Sequence, residues 1–425
     1  MCQRDIVMEN KRFFLRGDNY IWGALVGLCI ASIIIMFSAI ETETYSSDNL
    51  YDPILSHCSH IVISLVVAIT LSYVPYKVYR LLAIPIFITA CGLLIYTLLF
   101  AGKVNDAARW INVGISIQPS EIAKLGVIIT TAYYLAKGQT EKGVSNNALK
   151  KVILVIVIPC LLIFTENLST AGLIVLIAYC MMIIAGVSIK KLGVMLLIAA
   201  VFIGSILFTA HILDKNYPDK ENVFMKVVHR ANLWNSRITG FFSGNDIPEY
   251  EKDTEDKKYY QSHHSYMAIA NGKGIGLGPG NSIERNTLPH ADSDFIFAIV
   301  LEEYGILGGL VVMGLYLSLL FRTYYITRKC THAFPAFLMM GLALGLVFQA
   351  LLNMMVATGV GPVTGQPLPL ISNGGSSAVF TGVYFGIMLN ISHTALGLNN
   401  TNDKKTENNI EETNPNLEEN YERES

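Results

Sequence analysis

The chain has 425 residues, of which 52% are hydrophobic and only 15% charged, and its mean hydropathy is +0.44. That excludes an ordinary water-soluble enzyme, in which about 25% of residues are charged. The formal net charge of −2 leaves no basic excess to neutralise a phosphate backbone, so no nucleic-acid partner is expected. Seven cysteines is an odd count, and Cys29, Cys91, Cys160 and Cys180 lie inside apolar runs, so no disulfide framework is expected.

A polar tail, residues 1–19, leads into the first of ten apolar runs, at approximately 20–40, 58–74, 80–101, 119–137, 152–165, 169–188, 192–211, 295–321, 334–357 and 374–396. A helix crossing a bilayer core needs about 20 residues at ~1.5 Å rise each. The first run is too long for a signal-peptide core and lacks a small-residue cleavage pattern, so it reads as a retained anchor. The expected fold is an all-α integral membrane protein: a ten-helix membrane domain over 20–396, with one large extracytoplasmic loop, 212–292, between the seventh and eighth helices. Lys and Arg in the connections set the orientation. One alternating set holds fifteen, including Arg12, Arg80, Lys137, Lys191 and Arg328, whereas the opposite short loops hold only Lys103 and Arg109. This places both termini in the cytoplasm.

Within the long loop, residues 223–242 intersperse Val227, Leu233, Trp234 and Ile238 with basic residues, the pattern of an amphipathic helix at the membrane surface. The tail 397–425 is acidic and rich in Asn, with few apolar residues, and is expected to be a disordered cytoplasmic segment.

Chemistry in such a chain should show as polar groups near membrane depth. The fourth run opens Gln118-Pro119-Ser120-Glu121-Ile122-Ala123-Lys124. Pro119 suits a first helical turn, Glu121 suits the positive N-terminal dipole, and Lys124 lies one turn further on the same face. The two are readable either as a self-satisfied ion pair or as a site where Lys124, with Arg109 and Trp110 before it, offers a cation to an anionic head group. The eighth run opens with Asp292, Ser293 and Asp294, then Glu302-Glu303-Tyr304-Gly305. Asp294 would sit where water meets lipid, where desolvation raises a carboxylate towards general-base range. The alternative is an acidic helix start matching the dipole.

Residues 272–282 are glycine-rich but lack the flanking strand and helix of a dinucleotide fingerprint. Their backbone could instead approach a diphosphate or sugar closely. Residues 361–377 enter the tenth run through Gly374-Gly375-Ser376-Ser377, which fits either ligand contact or small-residue helix packing. His57 and His60 have metal-ligand chemistry but no further ligands nearby in sequence, and Gln349 with Asn353 reads as helix-joining hydrogen bonding.

The order and wording of these pieces, from Ala108-Arg109-Trp110-Ile111 through 118–124, 266–282, Asp294-Phe295-Ile296-Phe297, Glu302-Glu303-Tyr304-Gly305 and 368–377, resemble the SEDS (FtsW/RodA) family of shape, elongation, division and sporulation proteins. Gly280-Asn281-Ser282 is similar to the division-type pattern. Two positions depart from the family: Asp292 stands where relatives often have His, and Asn373 where many have Tyr. The resemblance implies a peptidoglycan glycosyltransferase that polymerises lipid II at the outer face of the cytoplasmic (inner) membrane during septal wall synthesis, in complex with a class B penicillin-binding transpeptidase and other division proteins. It implies Asp294 as the base that takes the proton from the acceptor sugar's 4-hydroxyl. Arg109, Glu121, Lys124, Gly374, Gly375 and Ser376 would bind substrate, and a divalent cation (Mg or Mn) is expected beside the departing diphosphate, with no organic cofactor. An elongation-type polymerase, a lipid II flippase and a silent division scaffold are the alternatives. The flippase needs polar residues through the bilayer depth, whereas charge here clusters near the outer ends of the runs.

Overall fold

The computed structural model describes residues 16–39, 52–100, 111–112, 116–141, 143–164, 167–216, 257–289 and 291–397. Arg109, the 223–242 segment and the tail beyond 397 lie outside them. The helices, in chain order, are α1 Asn19–Ala39, α2 Asp52–Ser72, α3 Tyr76–Phe100, α4 Pro119–Lys137, α5 Asn146–Phe164, α6 Leu168–Ile184, α7 Ile189–Asn216, α8 Lys257–Asn271, α9 Ile296–Thr327, α10 Ala333–Ala357 and α11 Gly375–Ala395. Each apolar run read from the sequence falls on one of these helices. By length and composition α1, α2, α3, α5, α9 and α10 can cross a membrane. Two antiparallel pairs of two-residue strands, Ile111–Asn112 with Ser116–Ile117 and Gln139–Thr140 with Gly143–Val144, are the small departure from an all-helical chain.

Local chemistry explains several helix starts. Pro119 occupies the first turn of α4, where its missing N–H costs nothing. The Asn167 side chain caps α6 by accepting from Thr170 N at 3.1 Å, a bond worth about 1 kcal/mol. Asp18 accepts from Tyr20 N at 3.0 Å at the start of α1. The same carboxylate receives a two-point grip from Arg322 of α9, at 3.0 and 2.6 Å, and Asp18 N donates to Ser392 Oγ of α11 at 3.0 Å. One buried acid thereby ties three helices together at one end of the bundle.

At the centre, α4 packs against α3, α5, α6 and α10, and α10 against α9. This explains why α4 tolerates a charged pair: nearly all of its first three turns is buried in protein rather than lipid. The α2–α11 contact is close because α11 presents glycines to α2. A Cβ at Gly382 would overlap the Ser64 carbonyl oxygen, and one at Gly386 would lie 2.7 Å from Leu71 Cβ. Small residues in membrane helices serve such backbone approach.

Helix α9 breaks at Gly305, whose φ of 63° and ψ of −164° are non-helical. The glycine-rich segment after α8 fills the break: Ile306 N donates to Gly274 O, Leu277 N to Glu302 O and Gly278 N to Glu303 O, each at 2.9 Å. Gly276 has φ +93°, and a Cβ there would overlap Glu303 O and lie 2.6 Å from Gly305 N. The close approach that Gly272 and Gly276 permit is to the chain's own backbone. Glu302 and Glu303 are fully buried and hold this segment down. Glu302 accepts from Ile283 N at 3.1 Å, Glu284 N at 3.3 Å and Asn271 Nδ2 at 3.2 Å, and from the Ser282 hydroxyl. Glu303 takes the Ser38 hydroxyl of α1 and Ser282 N.

Candidate functional site

The site is assembled at the end of the bundle where α4 begins and α10 ends. On α4, Lys124 Nζ lies 2.7 Å from Glu121 Oε1, both side chains being almost completely buried. A second contact reaches across to α10, where Lys124 Nζ donates to Gln349 Oε1 at 2.6 Å. An ammonium has three N–H groups, and these partners use two. The Gln349 amide in turn donates to Pro367 O at 3.0 Å.

One turn further along α10, Asn353 is fully buried. Its Nδ2 donates to Asp294 O at 2.8 Å and to Gln366 O at 2.9 Å. Gln366 Nε2 reaches Thr170 Oγ1 of α6 at 2.9 Å. The i,i+4 spacing puts Gln349 and Asn353 on one face of α10, so this face connects the Lys124–Glu121 pair to the backbone that carries Asp294. The Asp294 side chain is half-buried, and a Cβ at Gly365 would stand 3.4 Å from its Oδ2. Gly365 thus lies directly beside the carboxylate.

The Asp292–Asp294 segment is also stitched to the entrance of α11. Ser372 Oγ donates to Ser293 O at 2.6 Å, and Asn373 N to Asp292 O at 2.9 Å. The Asn373 side-chain amide donates to Asp292 Oδ2 at 3.0 Å. Asp292 and Asn373, the two departures noted in the sequence, are therefore bonded to each other. Immediately after, Gly374 caps α11 with an extended backbone. A Cβ at Gly375 would lie 2.8 Å from His60 Nε2, and the Ser376 hydroxyl is buried without a hydrogen-bond partner.

The structure thus brings Glu121, Lys124, Asp294 and 374–376 to one region, linked by short polar bridges, while Arg109 lies outside the described residues. Gln349 and Asn353, read from sequence as helix-joining groups, do more than join helices: they connect the cationic pair to the Asp294 backbone. The available signal was two amides at i,i+4 in an otherwise apolar helix. His57 is hydrogen-bonded to Ser32 Oγ at 2.8 Å. Among the described residues no three His, Cys, Asp or Glu side chains converge as a metal cage.

These features define a multi-pass helical membrane protein with a half-buried carboxylate and a buried ion pair at one end of its bundle. Residues 19–396 match the family described as "Cell cycle protein", and the chain belongs to that family. The probable peptidoglycan glycosyltransferase FtsW of Aliivibrio salmonicida is 33% identical over 308 residues, covering 71% of this chain and 70% of that protein. That of Bacillus subtilis is 33% identical over 302 residues, 70% of each. Among solved structures, a chain from a study of a peptidoglycan synthase complex that coordinates polymerization and crosslinking matches with a TM-score of 0.67 at 21% identity, over 90% of this chain and 99% of that one. The rod shape determining protein RodA of Thermus thermophilus matches with a TM-score of 0.60 at 20% identity, over 89% and 97%. At these identities the structural likenesses speak for the fold.

Proposed function

We propose that the chain is a peptidoglycan glycosyltransferase that polymerises lipid II into glycan strands at the outer face of the inner membrane, at the division septum. The family membership and the relatives' names support the reaction class. The observation that carries the site is the Asn353 bridge, which fixes the backbone of Asp294 relative to the face of α10 that holds Lys124.

In this reading Asp294 takes the proton from the acceptor sugar's 4-hydroxyl as that oxygen bonds to the donor's anomeric carbon. The bond from that carbon to the diphosphate breaks, its electron pair leaves with the diphosphate, and the configuration inverts. Lys124, with Arg109, supplies positive potential where the leaving diphosphate gathers charge, and Glu121 orients the ammonium. Gly374, Gly375 and Ser376 line the entrance of α11, where the buried Ser376 hydroxyl has bonding capacity to spare. Glu121 would be the carboxylate to hold a divalent cation (Mg or Mn), whose charge would offset that gathering on the leaving diphosphate. Growing strands would pass to a class B penicillin-binding transpeptidase; the solved chain from a peptidoglycan synthase complex supports such a partner.

The test is strand formation from purified lipid II by the chain co-purified with its cognate transpeptidase, comparing wild type with Asp294→Asn. Polymer from wild type alone is expected. No polymer from either, with lipid II still crossing vesicles, overturns the polymerase in favour of a flippase.

A further inference from the structure

At the opposite end of the bundle from Asp294, the N-terminus of α3, the C-terminus of α4 and the N-terminus of α10 border an open cavity of about 630 Å³, within the range of ligand pockets. Lys77, Arg80 and Lys137 stand on its wall, and no Asp or Glu does. Among the described residues none of these cations is in an ion pair; Lys137 faces only the Tyr133 ring, 5.7 Å from its centroid. Clustered like charges without a counter-ion repel one another and are stabilised by an anion. The backbone adds to this field. His332 is the N-cap of α10 but its side chain makes no capping bond, and residues 332–335 line the cavity, so the positive end of the helix dipole lies beside it.

Tyr76, Tyr133 and His332 also line it, and the rest of the wall is apolar. Ile84 and Phe334 line it, and Leu81, 80% exposed, continues the lining onto the outer surface of α3. A pocket that carries exposed cations beside the apolar surface of Leu81 and Ile84 is matched to a head group attached to acyl chains. Its depth agrees: α4 runs 19 residues from Pro119 to Lys137, about 28 Å of helix, close to the ~30 Å hydrocarbon thickness. A bilayer matched to this length would put the cavity at the head-group level of the leaflet opposite to Asp294.

We propose that this cavity is a binding site for an anionic glycerophospholipid of that leaflet. Arg80 would grip the phosphodiester through its planar fork, Lys77 and Lys137 would add point charges, and Leu81 and Ile84 would guide the acyl chains. The bound lipid would join α3, α4 and α10, and α4 and α10 are the helices that carry Lys124, Gln349 and Asn353.

Native mass spectrometry of the delipidated full chain in detergent, titrated with phosphatidylglycerol, phosphatidylcholine or inorganic phosphate, tests this. The expected result is one tightly held phosphatidylglycerol, with phosphatidylcholine and phosphate far weaker. The combined variant K77Q/R80Q/K137Q should bind phosphatidylglycerol about a hundredfold more weakly, from roughly fivefold per cation. K150Q/K190Q, which removes exposed charges from the same end of the bundle, should bind as wild type does. Equal retention of the two lipids, unchanged binding by the combined variant, or phosphate binding as tightly as the lipid would each overturn the proposal. Should the combined variant not fold, Arg80→Gln alone is expected to weaken phosphatidylglycerol about fivefold, and unchanged affinity there overturns it equally.

Discussion

The buried pair on α4 allows its structural and substrate roles to be separated. Lys124→Met removes an ammonium that makes a 2.7 Å contact with Glu121 and a 2.6 Å bond to Gln349. It leaves the Glu121 carboxylate 5% exposed without its cation, and uncompensated buried charges of this kind cost about 3–5 kcal/mol. Adding Glu121→Gln removes the orphan charge, so most of that stability should return. A residue of about 1–3 kcal/mol would remain for the unpartnered Gln349 oxygen. Thermal unfolding in detergent reads the stability, and strand formation from lipid II reads the function. If Lys124 serves the diphosphate, the double variant should be folded yet still impaired in donor binding or turnover. A double variant with wild-type polymerisation would refute that role and reduce the pair to a packing device. A Lys124→Met variant as stable as wild type would refute the assignment of a compensated buried charge.

Other outcomes follow from the same contacts. Asn353→Leu strips the carbonyls of Asp294 and Gln366 of their shared donor; it should cost about 1–3 kcal/mol of stability and lower polymerisation about a hundredfold by shifting the base, checked by unfolding and strand-formation assays. Asp294→Asn should abolish strands while leaving membrane insertion and melting unchanged. Gly276→Ala forces a side chain onto Glu303 O at a φ of +93°; a loss above about 3 kcal/mol is expected, read as reduced yield and melting temperature. Truncation after residue 397 should leave lipid II polymerisation in the purified system at the wild-type rate.

Helix positions were legible in the sequence because a twenty-residue apolar run carries its own evidence, and a helix makes its backbone bonds locally. Pro119 marked the start of α4 for the same local reason, and Glu121 with Lys124 could be paired from an i,i+3 spacing alone. The grouping of Asp294 with the α4 pair and the α11 entrance was legible only through resemblance, since nothing local links residues so far apart in the chain.

What the tertiary structure decided rests on bonds between distant segments. Gly276 could have been a ligand cradle or a packing site until Glu303 and Gly305 were seen to occupy the space its Cβ would need. The partners of Glu302 and Glu303, among them Ser282, Glu284 N and Ser38, come from the segment that follows α8 and from α1. Helix α8, Lys257–Asn271, follows a polar stretch with little helical periodicity, and Ser265 Oγ secures it to Ala357 O at 2.7 Å. Asn353 shows the limit most plainly: an amide in an apolar helix announces that it has a partner, but only the fold reveals that the partner is Asp294 O. A hydrogen bond specifies the chemistry of its other end and leaves the address to packing.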